Sequence, residues 1–284
     1  MFNFIIGFDS RYVDHEKWSE FNAVRNDFFY SKIFSSYLEE MGYERYENDI
    51  RVPNTAFLTC FAWPDEILSE FIRTKRSDWY NLETFNRSWN KIELKDVVPK
   101  ELFNETFDNK FNGKWIYFSM GTMGCVDVEL MKRLISMLPT GKTGEPIPKL
   151  LISLGPKHKD ILPYLPINSY GKDYFKQTEI LPNIDLLITH GGNNTVTEGI
   201  SRGVPMLILP LFADQYDNAQ RLQEMDLGIR LDPYRCTELE FQSAINSLLN
   251  NYELKNRVKN ISNRIKSDDR HHRLYDTIET MFCQ

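Results

Sequence analysis

The chain has 284 residues, 42% apolar and 13% aromatic, which is enough to bury a sizeable core and excludes disorder as the overall state. Its 34 Lys and Arg against 40 Asp and Glu give a net charge of -6, which argues against nonspecific electrostatic binding to nucleic acid or to an anionic membrane. The four cysteines lie far apart without metal-ligand spacing, so neither a disulfide framework nor a zinc site is expected. No apolar run approaches the roughly 20 residues of a membrane span, and no signal peptide is evident, so we expect a cytoplasmic protein without a membrane span.

The sequence changes character near residue 112. Residues 1–110 are aromatic and irregular, with a helix-like stretch at 31–43 and a strand-like run at 56–62, which together indicate an α/β region. Beyond it, apolar runs of strand length alternate with amphipathic segments. The predicted strands are 114–119, 149–154, 185–189 and 205–209, and the predicted helices are 130–138, a segment ending at 202, and 218–225. Runs that are apolar on both faces predict a doubly wound parallel sheet over 111–268, and 269–284 is predicted to be a closing helix.

Two loops after predicted strands suit an anionic ligand. In an open parallel sheet, ligands bind outside the carboxyl ends of the strands, where the first amides of a helix are unpaired. The loop at 119–124 is small and glycine-rich, so its backbone can approach a bulky anion, although an ordinary tight turn has the same composition. The second loop begins His190-Gly191-Gly192, and Asn194 and Thr195 are expected to cap the helix that follows.

Side chains near these loops carry suitable chemistry. His190 can donate a hydrogen bond to a phosphate oxygen, and Glu198, one helical turn beyond Asn194, can accept from two ribose hydroxyls. Asp214 and Gln215 follow another predicted strand and suit the hydroxyls of a sugar. Each also has an ordinary structural interpretation, as a helix cap or a helix start.

The stretch from 174 to 218 resembles the signature segment of the UDP-dependent glycosyltransferases of the GT-B architecture, which have two facing Rossmann-like domains. The matched elements, in order, are Gln177-Thr178-Glu179-Ile180-Leu181, Ile188-Thr189-His190-Gly191-Gly192, Asn194-Thr195, Glu198-Gly199, Gly203-Val204-Pro205, and Pro210 through Asp214-Gln215 to Asn218. The resemblance extends back to Ser119-Met120-Gly121-Thr122 and forward to Leu227-Gly228-Ile229, and it covers the first half of the chain only loosely. The short gap between Gln177 and His190 is more similar to the soluble macrolide and sterol type than to the membrane-anchored detoxification type.

The resemblance implies an α/β, GT-B-like fold and a role for each matched residue. Residues 111–268 would form a complete Rossmann-like donor domain, and 1–110 a truncated acceptor domain with its linker. The implied donor-binding residues are Ser119, Gly121, Thr122, Tyr174, Phe175, Gln177, His190, Gly192, Asn194, Thr195, Glu198, Asp214 and Gln215. His190, the helix amides and Thr122 would hold the diphosphate, while Glu198 and Gln177 would lie at the ribose. Asp214 and Gln215 would hydrogen-bond the transferred sugar. Tyr174-Phe175 occupy the position where the family has a Trp stacked on uracil.

The resemblance also implies a catalytic base that this sequence does not supply. The family's base is a His near the amino terminus in a Gly-His-x-x-Pro pattern, which does not occur here. His15, beside Asp14, is a weak candidate, because adjacent residues point in different directions and form a poor dyad. No catalytic residue is therefore assigned, and His158, His271 and His272 are interpreted as solvated surface.

The expected function is transfer, with inversion, of a hexose from a UDP-sugar to a hydroxyl of a small lipophilic acceptor, with glucose the expected sugar. No cofactor or metal ion is expected, since no Asp-x-Asp occurs and helix amides can neutralise the diphosphate. The alternative is a catalytically incomplete UDP-sugar-binding module, or the donor half of a split transferase whose partner subunit supplies the missing portion. A nucleotide-sugar epimerase is a third interpretation, but it would need acidic residues beyond Asp214.

Overall fold

The computed structural model describes residues 36, 39–42, 59–68, 79–85, 90, 92–103, 111–141 and 147–282. His15 and most of the helix-like stretch at 31–43 lie outside these residues. No helix among the described residues has the length and apolar character needed to cross a membrane.

Two parallel sheets organise the described chain. A two-stranded sheet pairs β1 (Thr59–Phe61) with β2 (Trp79–Asn81). The six strands of the larger sheet are β3 (Phe111–Ser119), β4 (Ile147–Ser153), β5 (Ser169–Lys172), β6 (Leu186–Thr189), β7 (Met206–Ile208) and β8 (Gly228–Arg230). Their order is β5-β4-β3-β6-β7-β8 and every neighbouring pair is parallel. The strand order therefore reverses beside β3, which creates the crevice where such sheets bind nucleotides.

Helices connect and cover these strands. Their bounds are α1 (Gly121–Gly124), α2 (Val128–Ser136), α3 (His158–Ile161), α4 (Gln177–Ile180), α5 (Asn193–Ser201), α6 (Asp214–Glu224), α7 (Glu238–Asn250), α8 (Tyr252–Ser267) and α9 (Arg270–Phe282). Short 3-10 turns occur at Leu94–Asp96, Lys100–Phe103, Gly155–Lys157, Leu162–Tyr164 and Leu181–Asn183. Tyr117 and Phe118, adjacent in β3, and Leu187 and Ile188, adjacent in β6, are all buried. Adjacent residues of a strand face opposite sides of the sheet, so the sheet is covered on both faces and the doubly wound prediction is confirmed.

The first region is tied to the closing helices by an ionic cluster. Arg264 of α8 donates to Glu83 (Nη1 to Oε2, 2.9 Å) and to Glu66 (Nη2 to Oε2, 2.6 Å), and Arg270 of α9 pairs with Asp65 and Glu83. Burial alone would raise the pKa of Asp65, but hydrogen bonds and charge from Arg270 lower it overall. The side chain of Glu83 is completely buried, so this cluster fixes α8 and α9 against the β1–β2 segment.

Candidate functional site

A cleft of about 670 Å³ opens beside the carboxyl ends of β3, β4 and β5. Eight of the predicted donor-binding residues line it: Ser119, Gly121, Thr122, Tyr174, Phe175, Gln177, Thr195 and Glu198. These residues come from four separate loops and helices, and the parallel sheet brings them together at one edge.

The strand register sets the length of this edge. Ser119 of β3 is paired with Ser153 of β4 on one side and with Thr189 of β6 on the other, and Ser153 is paired with Lys172 of β5. Since neighbouring strands lie about 4.8 Å apart, the row from Thr189 to Lys172 extends roughly 14 Å. The cleft therefore suits an elongated ligand that lies across the strand ends.

His190, at the β6 end of this row, is enclosed by two glycines. A Cβ atom at Gly121 would lie 2.5 Å from the His190 Cε1, and one at Gly192 would lie 2.6 Å from its Nε2. The His190 Nδ1 lies 3.2 Å from the Thr189 hydroxyl. Any larger residue at either glycine would displace the ring, so the two glycine loops and the imidazole form one unit.

The imidazole of His190 is neutral at pH 7. Burial lowers the pKa of His190 from its ordinary 6.5 to about 4, because desolvation disfavours the charged form. A neutral imidazole still donates one N–H. His190 can therefore offer an anion a hydrogen bond, and a bound anion would in turn favour its protonation.

Helix α5 begins beside this ring with its first turn open. Its N-cap residue is Gly192, which has no side chain to occupy the first amides. The expectation that Asn194 and Thr195 cap the helix is wrong, because both lie inside its first turn, where their own amides point outward. The partial positive charge at such an end attracts anions.

Glu198 lies one turn further along α5, in the lining of the cleft. Its Oε2 accepts a hydrogen bond from the Gln177 Nε2 at 2.6 Å, and the same nitrogen lies 3.5 Å from the Thr195 Oγ1. Burial raises the pKa of Glu198, and the Gln177 hydrogen bond and the charge of Arg202 oppose that rise. Gln177 therefore orients a half-buried carboxylate that can accept from neighbouring hydroxyls.

At the β5 end of the cleft, two aromatic residues have different roles. The Tyr174 side chain is 68% exposed, whereas Phe175 is 1% exposed and makes edge contacts with Tyr117 and Tyr170. Only Tyr174 thus presents a free ring face. Tyr can stack on a base, with less area than Trp.

Two histidines differ from their interpretation as solvated surface. His158 is half-buried and lines the cleft, and His271 is half-buried with its Nε2 3.1 Å from the Thr84 carbonyl oxygen. Lysines on both sides of His158 gave the misleading surface signal. The surface interpretation is therefore wrong for both.

Five predicted donor-binding residues lie outside the lining of the cleft: His190, Gly192, Asn194, Asp214 and Gln215. Gln215 is buried, and its Oε1 accepts from the amides of Leu211 (2.9 Å) and Phe212 (3.2 Å), so it supports the loop before α6. Ala213, the N-cap of α6, has a φ of 52°, a conformation that is costly for a residue other than glycine. The position of Asp214 at the start of α6 therefore depends on a strained turn.

Asn218 joins this helix to the His190 loop. Its Nδ2 donates to the Gly191 carbonyl oxygen at 2.8 Å and lies 3.2 Å from the Asp214 Oδ2. Sequence reasoning included Asn218 in the matched pattern without giving it a role. Asp173 of the cleft lining was missed because the strand before it was not predicted.

Comparisons with known proteins agree with this architecture. Residues 167–274 match the family described as UDP-glucoronosyl and UDP-glucosyl transferase. The NDP-glycosyltransferase YjiC of Bacillus subtilis is 33% identical over 102 residues, which are 36% of this chain and 26% of that protein. UDP-glucuronosyltransferase 1A9 of Mus musculus is 34% identical over 91 residues, which are 31% of this chain and 17% of that protein. This chain thus spans about a quarter or less of the length of these relatives.

A solved structure of the glycotransferase of kitacinnamycin has a TM-score of 0.72 and 17% identity, over 98% of this chain and 69% of that one. At that identity the likeness concerns the fold alone. The fold is thus that of the GT-B architecture. Residues 167–274 are thus similar to the UDP-glycosyltransferases.

Proposed function

We propose that this chain binds a UDP-sugar in the cleft, as the donor part of a transferase that moves a hexose, with glucose expected, to a hydroxyl of a small lipophilic acceptor with inversion. The observation that carries the proposal is the unit of His190, its two enclosing glycines and the open first turn of α5. The diphosphate would lie against this unit, with Thr122 closing it from the opposite loop. No metal ion is needed in this scheme, because amides and a neutral imidazole receive the charge.

With the diphosphate at α5, the row of strand ends determines where the other parts of the donor would lie. The ribose would lie at Glu198 and Gln177, and the uracil would extend toward Tyr174 at the β5 end. The sugar would then project past His190 toward Asp214. In this arrangement the amides and His190 stabilise the charge that develops on the diphosphate as the glycosidic bond breaks.

A second candidate function is a UDP-sugar-binding module without its own turnover, or the donor half of a split transferase with a partner subunit. The observation that favours it is the missing Gly-His-x-x-Pro pattern, which leaves no assigned group to remove the acceptor proton. Incubating the chain with UDP-glucose and a panel of phenols separates the two. Glycoside formation supports the complete transferase, whereas UDP binding without turnover supports the module.

Calorimetric titration with UDP tests the site assignment. His190→Ala and Glu198→Ala are each expected to weaken UDP binding about tenfold or more, since each removes a half-buried group that can hydrogen-bond the ligand. The controls are His272→Ala and Glu279→Ala, which alter exposed residues of α9 and should bind UDP like the wild type. If His190→Ala and Glu198→Ala also bind UDP like the wild type, the assignment is wrong.

A further inference from the structure

The connection from α3 to β5 carries an exposed apolar surface. Leu162, Tyr164 and Ile167 are exposed, and no other six-residue stretch of the described residues contains three exposed large apolar side chains. Lys159 and Asp160 of α3 come just before them and are exposed as well. We call these five residues the α3–β5 surface. Exposed apolar residues that occur singly are normal, whereas a group of them marks an interaction site.

The residues beneath this surface hold it in place. Asn168 is buried, and its Nδ2 donates to the carbonyl oxygens of Pro139 (2.9 Å) and Pro148 (2.7 Å). The Ser169 amide donates to the Pro166 carbonyl oxygen at 3.0 Å, and the ring of Pro166 fixes its own φ angle. The surface is therefore formed before a partner binds, so that little conformational entropy is lost on association.

The α3–β5 surface is separate from the cleft. His158 of α3 lines the cleft, whereas Lys159 and Asp160, which follow it, do not, and neither does any apolar member of the surface. None of the five residues is assigned to the donor under the proposed function. An interaction at this surface therefore does not depend on that function.

The charges of the surface have both signs. Lys159 and Asp160 form no ion pair with a described residue, whereas Lys132 of α2, whose Nζ lies 4.7 Å from the centre of the Tyr164 ring, is paired with Glu129 at 2.9 Å. An anionic membrane would attract the free lysine but repel the aspartate, and the net charge of -6 opposes such binding. A second copy of the same surface offers a lysine to each aspartate and an aspartate to each lysine, because a two-fold axis places identical residues on both sides.

We propose that the α3–β5 surface is the interface of a two-fold symmetric dimer of this chain. Leu162, Tyr164 and Ile167 of one copy pack on the same residues of the other, and burial of these side chains supplies most of the association free energy. Lys159 of each copy lies at the rim beside Asp160 of the other, where the opposite charges fix the relative orientation.

Sedimentation equilibrium of the full chain over a range of concentrations tests the dimer. The mass should rise from one chain to two and no further, since a two-fold interface closes on itself. Ile167→Asp places a charge in the apolar centre of the interface and should raise the dimer dissociation constant about tenfold or more. The control is Leu239→Asp at the start of α7, which should leave that constant unchanged, because Leu239 is 76% exposed, close to the 74% of Ile167, but lies outside the surface.

Reversal of the rim charges tests the pairing between the two copies. Lys159→Glu and Asp160→Lys should each raise the dissociation constant about threefold or more, since like charges then face each other. The variant that carries both changes should associate like the wild type. Circular dichroism shows whether each variant is folded, and Tyr164→Ser replaces Ile167→Asp if that variant is not.

The inference is overturned by a wild type that stays a single chain at every concentration, or by a mass that grows beyond two chains. Equal dissociation constants for Ile167→Asp and Leu239→Asp, or a doubly reversed variant that does not regain association, overturn it as well. A single chain that sediments with phosphatidylserine vesicles would assign the surface to a membrane instead.

Discussion

At the scale of single residues, the site depends on an imidazole that fits only between glycines. Gly121 has a φ of 67°, and a Cβ there would lie 2.5 Å from the His190 ring. Gly113 has a similar φ of 78°, but a Cβ atom at that position would have no neighbouring atom within 4 Å. The two glycines thus share backbone strain but differ in what a methyl group would meet.

Gly121→Ala is therefore expected to weaken UDP binding about tenfold or more by displacing His190. Gly113→Ala should cost about 1 kcal/mol of stability through its positive φ and leave UDP affinity unchanged. Calorimetry with UDP, together with urea unfolding, measures both effects. Equal UDP affinities in the two variants would show that the contact with His190 does not matter for binding.

The lowered pKa of His190 makes stability depend on pH. The unfolded chain binds a proton at His190 below about pH 6.5, whereas the folded chain does so only below about pH 4. Between these values the unfolded state holds more protons, so stability falls as the pH drops from 6.5 toward 4. Relative to His190→Gln, the wild type should lose up to about 3 kcal/mol between pH 7 and pH 4.

Urea unfolding at pH 7 and at pH 4.5 measures this difference, with the exposed His272→Gln as the reference. Because both variants contain the same carboxylates, the effect of carboxylate titration on stability cancels when the two are compared. If wild type and His190→Gln respond identically to pH, the ring is not desolvated as described.

The residue types at the site could be predicted from the sequence, but their environments could not. His190 and Glu198 stood out because they lie on either side of a glycine pair at a predicted helix start, where their chemistry suits a diphosphate and a ribose. Their burial depends on loops distant in sequence, such as the one containing Gly121. His158 was misjudged for the same reason. Its neighbours in the sequence are lysines, which suggested an exposed position, whereas in the fold its side chain lines the cleft.

At the scale of elements, one side chain joins the start of α6 to the loop before α5. The Asn218 Nδ2 donates to the Gly191 carbonyl oxygen at 2.8 Å, and Asn218 is fully buried. Asn218→Ala would leave that oxygen without its partner and is expected to cost about 1–3 kcal/mol. Asn246→Ala, on the exposed face of α7, is the matched control and should change stability by less than about 0.5 kcal/mol.

Urea unfolding measures both asparagine variants, and UDP titration shows whether the His190 loop has moved as well. A loss of stability in Asn218→Ala no greater than in Asn246→Ala would contradict the joining role.

The central strands could be predicted from the sequence, whereas the edge strands could not. Four apolar runs predicted β3, β4, β6 and β7 to within a few residues. The edge strands β5 and β8 were missed because Ser-Tyr-Gly-Lys and Gly-Ile-Arg lack an apolar run. Edge strands have one open side and are commonly short and polar.

At the scale of the whole molecule, the ionic cluster around Glu83 connects the first region to α8 and α9. Glu83 is completely buried between Arg264 and Arg270, so its neutralisation leaves two partly buried cations without their shared partner. Glu83→Gln is expected to cost on the order of 3 kcal/mol. Glu129→Gln, which removes an 84% exposed partner of Lys132, should cost less than about 0.5 kcal/mol.

Chemical denaturation gives both values, and limited proteolysis of the β1–β2 segment reports whether it detaches from α9. If Glu83→Gln costs no more than Glu129→Gln, the cluster does not hold the two parts together. The sequence could not reveal this cluster, because its members lie about 180 to 200 residues apart.

The central claim is that the open first turn of α5, together with His190, holds a diphosphate. A crystal structure of this chain with UDP tests it most directly. The expected result places the diphosphate between the Gly121–Thr122 loop and the first turn of α5, with the uracil toward Tyr174. A UDP molecule bound elsewhere, or one whose diphosphate does not contact that turn, would contradict the account.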